Sequence, residues 1–424
     1  MCIFAIEKVY YMSYYKRTAD ALLQDLLDAF GAVLIEGPKW CGKTTTASQL
    51  ANSILRMQDP SMREEYLATA KTKPSILLKG DTPRLIDEWQ DAPMLWDAVR
   101  TTVDDRQVPG QFILTGSNAV DKSQIHHSGA GRIARLRMLP MSLWESQEST
   151  GEVSLKELFN NPDYDIDGKM SKMTVEDLIF AASRGGWPAS LLARTPKAQL
   201  LVAKNYVQTI CSDDVSGIDG KKRDAKLTSM ILRAYARNVS TLVKKKSLLD
   251  DVTSSGEVSC HIDTFDDYVS ALEKLFVIQN ISAWCPAIRS KTAIRSSVKR
   301  CFCDPSIPIA LLGLSPEALS MQLRTFGFIF EQMCIRDLKA YTIDLNSHVS
   351  YYHDRYDLEA DIVLHLEDGR YALIECKLGS SEIDEGSKHL LELKRLIQEH
   401  NKTEKQVQVL IIETEIFVTR FLLD

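Results

Sequence analysis

The string Gly37-Pro38-Lys39-Trp40-Cys41-Gly42-Lys43-Thr44-Thr45 constrains this 424-residue chain more than any other feature. It lies between a short apolar run, Ala32 to Ile35, and a helix-like segment, and its Gly37, Gly42, Lys43 and Thr44 satisfy G-x-x-x-x-G-K-[ST]. The spacing has a physical reason. Glycines let backbone N–H groups curl around phosphate oxygens, and the N-terminus of the following helix adds positive potential. Lys43 is expected to reach the β- and γ-phosphates and the Thr44 hydroxyl to ligate Mg²⁺. Pro38, Lys39, Trp40, Cys41 and Thr45 complete the expected cradle for ATP.

A phosphate-binding loop needs carboxylates on a neighbouring strand. Pro83 to Ile86 leads into Asp87-Glu88-Trp89-Gln90. On a parallel strand these acids emerge at the C-terminal edge, beside the phosphates. Asp87 is expected to hold Mg²⁺ through water and Glu88 to orient or polarise the attacking water. A third strand, Gln111 to Thr115, ends in Gly116-Ser117-Asn118, and Thr115 and Ser117 are both candidates for a sensor of the γ-phosphate. Downstream, His126-His127-Ser128-Gly129-Ala130-Gly131-Arg132 suits a loop that brings Arg132 to the phosphates, in cis or from a neighbouring copy in a homo-oligomer. The two histidines have no cysteine or acid at ligand spacing and are expected to be ordinary loop residues.

Composition narrows the class without naming chemistry. At 45% hydrophobic and 25% charged residues the chain is globular, and its length suggests two or three domains. The lack of any run near eighteen apolar residues argues against a membrane span. Nine cysteines without repeated spacing suit a reducing cytoplasm. With 51 basic against 57 acidic residues, a net charge of −6 gives no global attraction to nucleic acid, so any such binding needs a local patch.

The strings GPKWCGKTTTA, PRLIDEWQ, FILTGS, HSGAGR and PMSLWES, in this order, resemble the prokaryotic AAA+-type ATPases that carry an uncharacterised C-terminal domain of unknown function. The similarity continues through GGWPA, FDDYVSALEKLFVI, SAWCPAIRSKTAIR, DPSI, FGFIFE, EADIVL, ALIECKLG and HLLELK, so it runs from Tyr15 onward. Two departures stand out. Such proteins begin near MSYYKR, so Met12 competes with Met1 as the start and residues 1–14 read as an extension. Lys39, Trp40 and Cys41 replace a commoner R-Q-V, leaving the phosphate-binding positions intact. The resemblance implies an α/β chain with a P-loop NTPase (AAA+-like) core over 15–145 and a helical lid or connector over 146–224. It further implies a winged-helix-like domain over 225–312. Gly185-Gly186-Trp187-Pro188 matches the family's hinge between core and lid, although a plain helix break accounts for it as well.

In the middle region, Phe276 to Ile278 and Ile281 to Trp284 are expected to flank a tight turn. Lys244-Lys245-Lys246 and the run Arg289, Lys291, Arg295, Lys299, Arg300 are the dense basic stretches, and no acid interrupts residues 280–303. Such a stretch suits DNA backbone binding, whereas winged helices also dock proteins.

Residues 313–424 carry a second constellation. Phe326 to Leu338 reads as a helix holding Glu331, Glu359 to Leu364 as a strand, and Tyr371 to Lys377 as the next strand after a turn. An acid, a β-turn and E-x-K form the pattern of a PD-(D/E)xK, restriction-endonuclease-like α/β fold. Asp361 and Glu375 would then ligate Mg²⁺, Lys377 would position water, and Glu331 would support them. A cross-strand salt bridge explains the same residues without chemistry. Three functions therefore fit. The first is an ATP-hydrolysing switch or motor acting on nucleic acid or protein. The others are an ATP-gated DNA nuclease and a nucleotide-sensing module without turnover.

Overall fold

The computed structural model describes residues 14–118, 125, 127–161, 164, 166, 169, 171–254, 256–285, 297–354, 358–379, 383–401, 407–413 and 420–421. Strands β1 (Ala32–Glu36), β2 (Ser53–Arg56), β3 (Arg84–Asp87), β4 (Phe112–Gly116) and β5 (Ile133–Arg137) form one sheet in the order β2-β3-β4-β1-β5. Every pairing in it is parallel. Side-chain alternation explains the layering. Ala32 and Leu34 join Phe112, Leu114, Trp96 and Val99 on one face, whereas Val33 and Ile35 join Ile113, Leu136, Leu23 and Leu27 on the other. Both faces are covered by helices, the usual state of a parallel sheet and the reason β1 reads as a continuous apolar run.

Helices Val175–Arg184, Pro188–Leu191 and Pro196–Thr209 follow, the last running into a π-helical turn, Ile210–Asp214. Thr174 and Asp177 close a capping box at the first of them, satisfying amides that the helix start leaves open. The Gly185-Gly186 break between the first two is packed on all sides. A Cβ at Gly186 would lie 2.1 Å from the Met141 carbonyl oxygen, and the Gly186 N–H donates to Asp304 at 2.9 Å. Trp187 is fully buried and donates to Ser306. The plain structural account of this motif is the one its packing supports.

Helices Ala225–Arg237, Lys245–Thr253 and Ile262–Lys274 come next, followed by antiparallel bridges from Ile278 to Phe302 and from Ile281 to Lys299. The expected turn between 278 and 281 is therefore wrong. Both residues lie on one arm, and its partner is residues 299–302. The first arm is also bridged at Ala283 to Tyr351. A local reading of two adjacent apolar runs could not reveal a partner some twenty residues away.

The C-terminal region packs helix Leu323–Tyr341 against a second sheet of β6 (Ser347–His353), β7 (Glu359–Leu366), β8 (Tyr371–Lys377), β9 (Val407–Glu413) and β10 (Arg420–Phe421), in the order β10-β9-β8-β7-β6. Strands β6, β7 and β8 are an antiparallel meander, and helix Ile383–Asn401 then carries the chain over to β9, parallel to β8. One buried apolar cluster runs from Leu143 to Leu410. The helical, bridge-containing and C-terminal segments thus share a core.

Asp304, Arg336 and Asp337 form a buried junction at its centre. Arg336 donates to Asp304 at 2.9 Å and Asp337 at 2.7 Å, and Asp337 accepts the Leu143 N–H at 3.1 Å. Burial drives the Asp337 carboxyl up, with the Arg336 charge opposing it. Buried charges persist only when paired in this way.

Candidate functional site

The loop after β1 turns through left-handed backbone at Gly42, φ 100°, immediately before helix Lys43–Leu50. A glycine is needed at that conformation. The Lys43 ammonium is buried and donates to the carbonyls of Gly37 at 3.0 Å and Pro38 at 2.8 Å. Arg17 braces the loop from behind, donating to Cys41 O and Leu139 O, each at 2.7 Å, and to Glu145 at 3.0 Å. Burial works to raise the Glu145 carboxyl, but the Arg17 charge and the Ser142 and Thr18 N–H groups outweigh it and hold it below its ordinary value.

Asp87 ends β3, next to β4 and one strand removed from β1, and Thr44 donates to Asp87 Oδ1 at 2.6 Å while Thr115 donates to the same oxygen at 2.7 Å. Glu88 sits in left-handed backbone, φ 56°, with its N–H donating to Thr115 Oγ1 at 3.3 Å. Its carboxylate accepts from Ser117 at 3.0 Å and from the Gln90 amide. Thr115 is thus turned to Asp87 and Ser117 to Glu88. Such a strained turn of a non-glycine residue persists where its surroundings over-determine it.

A cleft of about 990 Å³ opens beside these groups. Lys39, Trp40, Gly42, Lys43, Thr44, Thr45, Glu88 and Ser117 are on its wall, with Gln58, Gln90 and Asn118 beside them. Pro188, Leu192, Val202, Asn205 and Ile218 close the opposite side. Two contacts tie the loop to this helical wall: Lys39 pairs with Asp214 at 2.6 Å, and Trp40 packs on Tyr206, ring centroids 5.3 Å apart. Tyr206 in turn stacks on Trp187 at 4.3 Å. Gly37, Pro38, Cys41 and Asp87 are not on the wall; Cys41 is fully buried, and Asp87 is reached through Thr44.

Arg132 is not where a cis role needs it. Its carbonyl accepts from Ala32 N–H at the start of β1, whereas the phosphate loop leaves the other end, about 13–16 Å away for a five-residue strand. The guanidinium pairs with Asp104 at 2.7 Å. The cis expectation is corrected on that ground. His127 is described without a metal-like cluster around it, and His126 lies outside the described residues.

The basic stretch also changes. Lys299 and Arg300 are turned inward: Lys299 pairs with Glu331 and donates to Asp361 O at 2.9 Å, and Arg300 bonds Val243 O and Tyr235. Neither is free to track a phosphate backbone. Arg289, Lys291 and Arg295 lie outside the described residues.

In the C-terminal sheet, single carboxylate oxygens of Glu359, Asp361 and Glu375 all lie within 4.8 Å of one another. Lys377 pairs with Glu375 at 2.8 Å, while Glu375 Oε2 is buried without a hydrogen-bond partner. Burial and the nearby Asp361 charge raise the Glu375 carboxyl to about 7. Glu331 is joined to this group through Lys299, which pairs with both Glu331 and Asp361, and burial raises its carboxyl against the pull of that ammonium. Glu359 was missed in the sequence, although it sits two residues from Asp361 on one strand and alternation points both the same way. Gln90, Asn205, Tyr206 and Asp214 carry no motif and were not legible.

Three family models match. Residues 29–147 match an AAA domain, 175–318 a domain of unknown function (DUF8612), and 326–419 a further domain of unknown function (DUF4143). An uncharacterised protein of Mycobacterium tuberculosis is 24% identical over 366 residues, covering 84% of this chain and 72% of its own length, and one of Mycobacterium bovis matches to the same extent. Among solved structures, a Walker-type ATPase of Pyrococcus abyssi aligns over 70% of this chain and 96% of its own, with TM-score 0.41 and 12% identity. The AAA match covers the parallel sheet and its phosphate-binding loop, and supports a P-loop ATPase core there. No helix among the described residues is long and apolar enough to cross a membrane.

Proposed function

We propose that the chain binds ATP with Mg²⁺ in the cleft between the parallel sheet and the helical wall, hydrolyses it, and uses the change to act on a nucleic-acid or protein partner. The reading rests above all on the joint placement of Thr44 against Asp87 and Ser117 against Glu88 at one sheet edge. The donor set fits a nucleotide with a divalent ion. Lys43 is a buried ammonium bonded to carbonyls, Thr44 and Asp87 offer hard oxygens side by side, and Gln90 Oε1 and Asn118 Oδ1 are buried acceptors without a partner.

Magnesium bound with ATP supplies positive charge to the phosphate oxygens. Thr44 and Asp87 would hold it. Lys43 and the loop N–H groups from Gly37 to Thr45 would bind the phosphates, and the Trp40 ring would border the nucleotide. Glu88, held by Ser117 and Gln90, would orient the attacking water and draw off its proton. Because Lys39–Asp214 and Trp40–Tyr206 join the loop to the helical wall, hydrolysis there has a mechanical route to the rest of the chain. Arg132, exposed on the far edge, would reach phosphates only in trans, from a neighbouring copy in a homo-oligomer. Lys43→Ala should abolish ATP binding and turnover; retained turnover would overturn the reading.

A second reading, metal-dependent DNA cleavage by the C-terminal region, is favoured by one observation: Glu359, Asp361 and Glu375 converge beside Lys377, with an unpartnered Glu375 oxygen among them. The helix–three strands–helix–strand order agrees with a PD-(D/E)xK-like fold. Mg²⁺- or Mn²⁺-dependent cleavage lost in Asp361→Ala and Lys377→Ala supports it. Intact linear, circular and single-stranded DNA under both ions and ATP would exclude it.

A further inference from the structure

A second cavity, of about 1030 Å³, opens where the edge strand β5 faces the C-terminal region. Arg135 and Arg137 of β5 and Lys339 of helix Leu323–Tyr341 are on its wall, together with Trp284 and His365. The two guanidiniums share a single buried carboxylate, Glu36, at 3.5 and 3.4 Å, which leaves one of the two charges uncompensated. Both are also held in place by aromatic faces, Arg135 over Trp96 and Arg137 over Phe276. Lys339 donates to the Gln279 carbonyl at 3.4 Å and makes no ion pair among the described residues. Burial holds its ammonium below the ordinary lysine value, and the Arg137 charge adds to that. The other acid on the wall, Glu367, is exposed.

The chemistry of the walls is therefore split. Uncompensated cations suit phosphate oxygens, and Arg is suited to grip them through paired N–H groups. Trp284, packed on Tyr371 at 4.8 Å with His365 beyond, offers an aromatic surface of the kind on which bases stack. Residues 282–285 on the wall lie within the acid-free stretch 280–303, which also carries Arg289, Lys291 and Arg295 in sequence. Further cations next along the chain favour a polyanion over a lone nucleotide.

We infer that this cavity binds a segment of single-stranded nucleic acid, with Arg135, Arg137 and Lys339 on its phosphates and Trp284 beside a base. The assignment stands apart from ATP turnover and does not depend on it.

Fluorescence anisotropy of fluorescein-labelled twelve-residue oligo-dT with the full chain tests this. Arg137→Gln and Lys339→Gln should each weaken binding about tenfold and flatten its dependence on salt, with ATPase rates unchanged. Lys71→Gln, an exposed charge away from both basic stretches and from this cavity, should leave the affinity as it was. If Lys339→Gln does not fold, the exposed Arg137→Gln decides. No oligonucleotide binding, or equal losses for all three variants, would overturn the site. Displacement of the oligomer by dTMP at similar nucleotide concentration would assign the cavity to a free nucleotide and overturn the strand.

Discussion

Lys39 Nζ lies 2.6 Å from Asp214 Oδ1, so a residue of the phosphate-binding loop is ionically joined to the π-helical turn that ends the helical wall. Asp214 is buried and Lys39 is two-fifths exposed, so the pair is partly screened. A thermal-stability double-mutant cycle of Lys39→Ala and Asp214→Asn should give a coupling of about 0.5–1 kcal/mol. Zero coupling would remove this contact as a link between loop and wall.

Arg17 should be the most sensitive position behind the loop. Arg17→Met leaves Glu145 buried without its cation and frees two carbonyls, and should cost about 3–5 kcal/mol in urea unfolding. The sign with pH follows from the depressed Glu145 carboxyl. Its stabilisation is present above the ordinary glutamate value and is lost as pH falls through the depressed one. The variant should therefore lose part of the wild-type stability difference between neutral and acidic pH, and an unchanged difference would contradict the pairing.

Lys299→Met should destabilise by about 3–5 kcal/mol, because Glu331 would be left buried and uncompensated. Adding Glu331→Leu should recover much of that loss. If the double variant is no more stable than the single one, Lys299 is not the counter-ion that keeps Glu331 in the core.

Arg132→Ala should leave the ATP dissociation constant of the monomer unchanged, since Arg132 stands at the opposite sheet edge. Isothermal titration measures this directly. A large loss of affinity at protein concentrations where only monomer exists would restore a cis role.

The parts legible in the sequence are those written locally. The loop string, the apolar runs of β1, β3 and β4, the acids Asp87 and Glu88 at a strand end, and the E-x-K of β8 each depend on neighbours in the chain. Long-range pairings decided the rest. The bridge partners of Ile278 and Ile281 stand beyond residue 298, and the inward turn of Lys299 and Arg300 depends on Glu331 and Val243. A run of cations looks alike in sequence whether it faces solvent or a buried carboxylate. The helical wall of the cleft was hidden for a similar reason: Tyr206 and Asp214 gain meaning only where Trp40 and Lys39 meet them.

Glu88→Gln tests the central claim most directly, by measuring ATP affinity and single-turnover hydrolysis with Mg²⁺ in the full chain. ATP should bind to the variant as it does to the wild type, while hydrolysis falls by about 10²–10⁴-fold. Equal turnover in the two proteins, or a wild type that binds ATP and never hydrolyses it, would contradict the account.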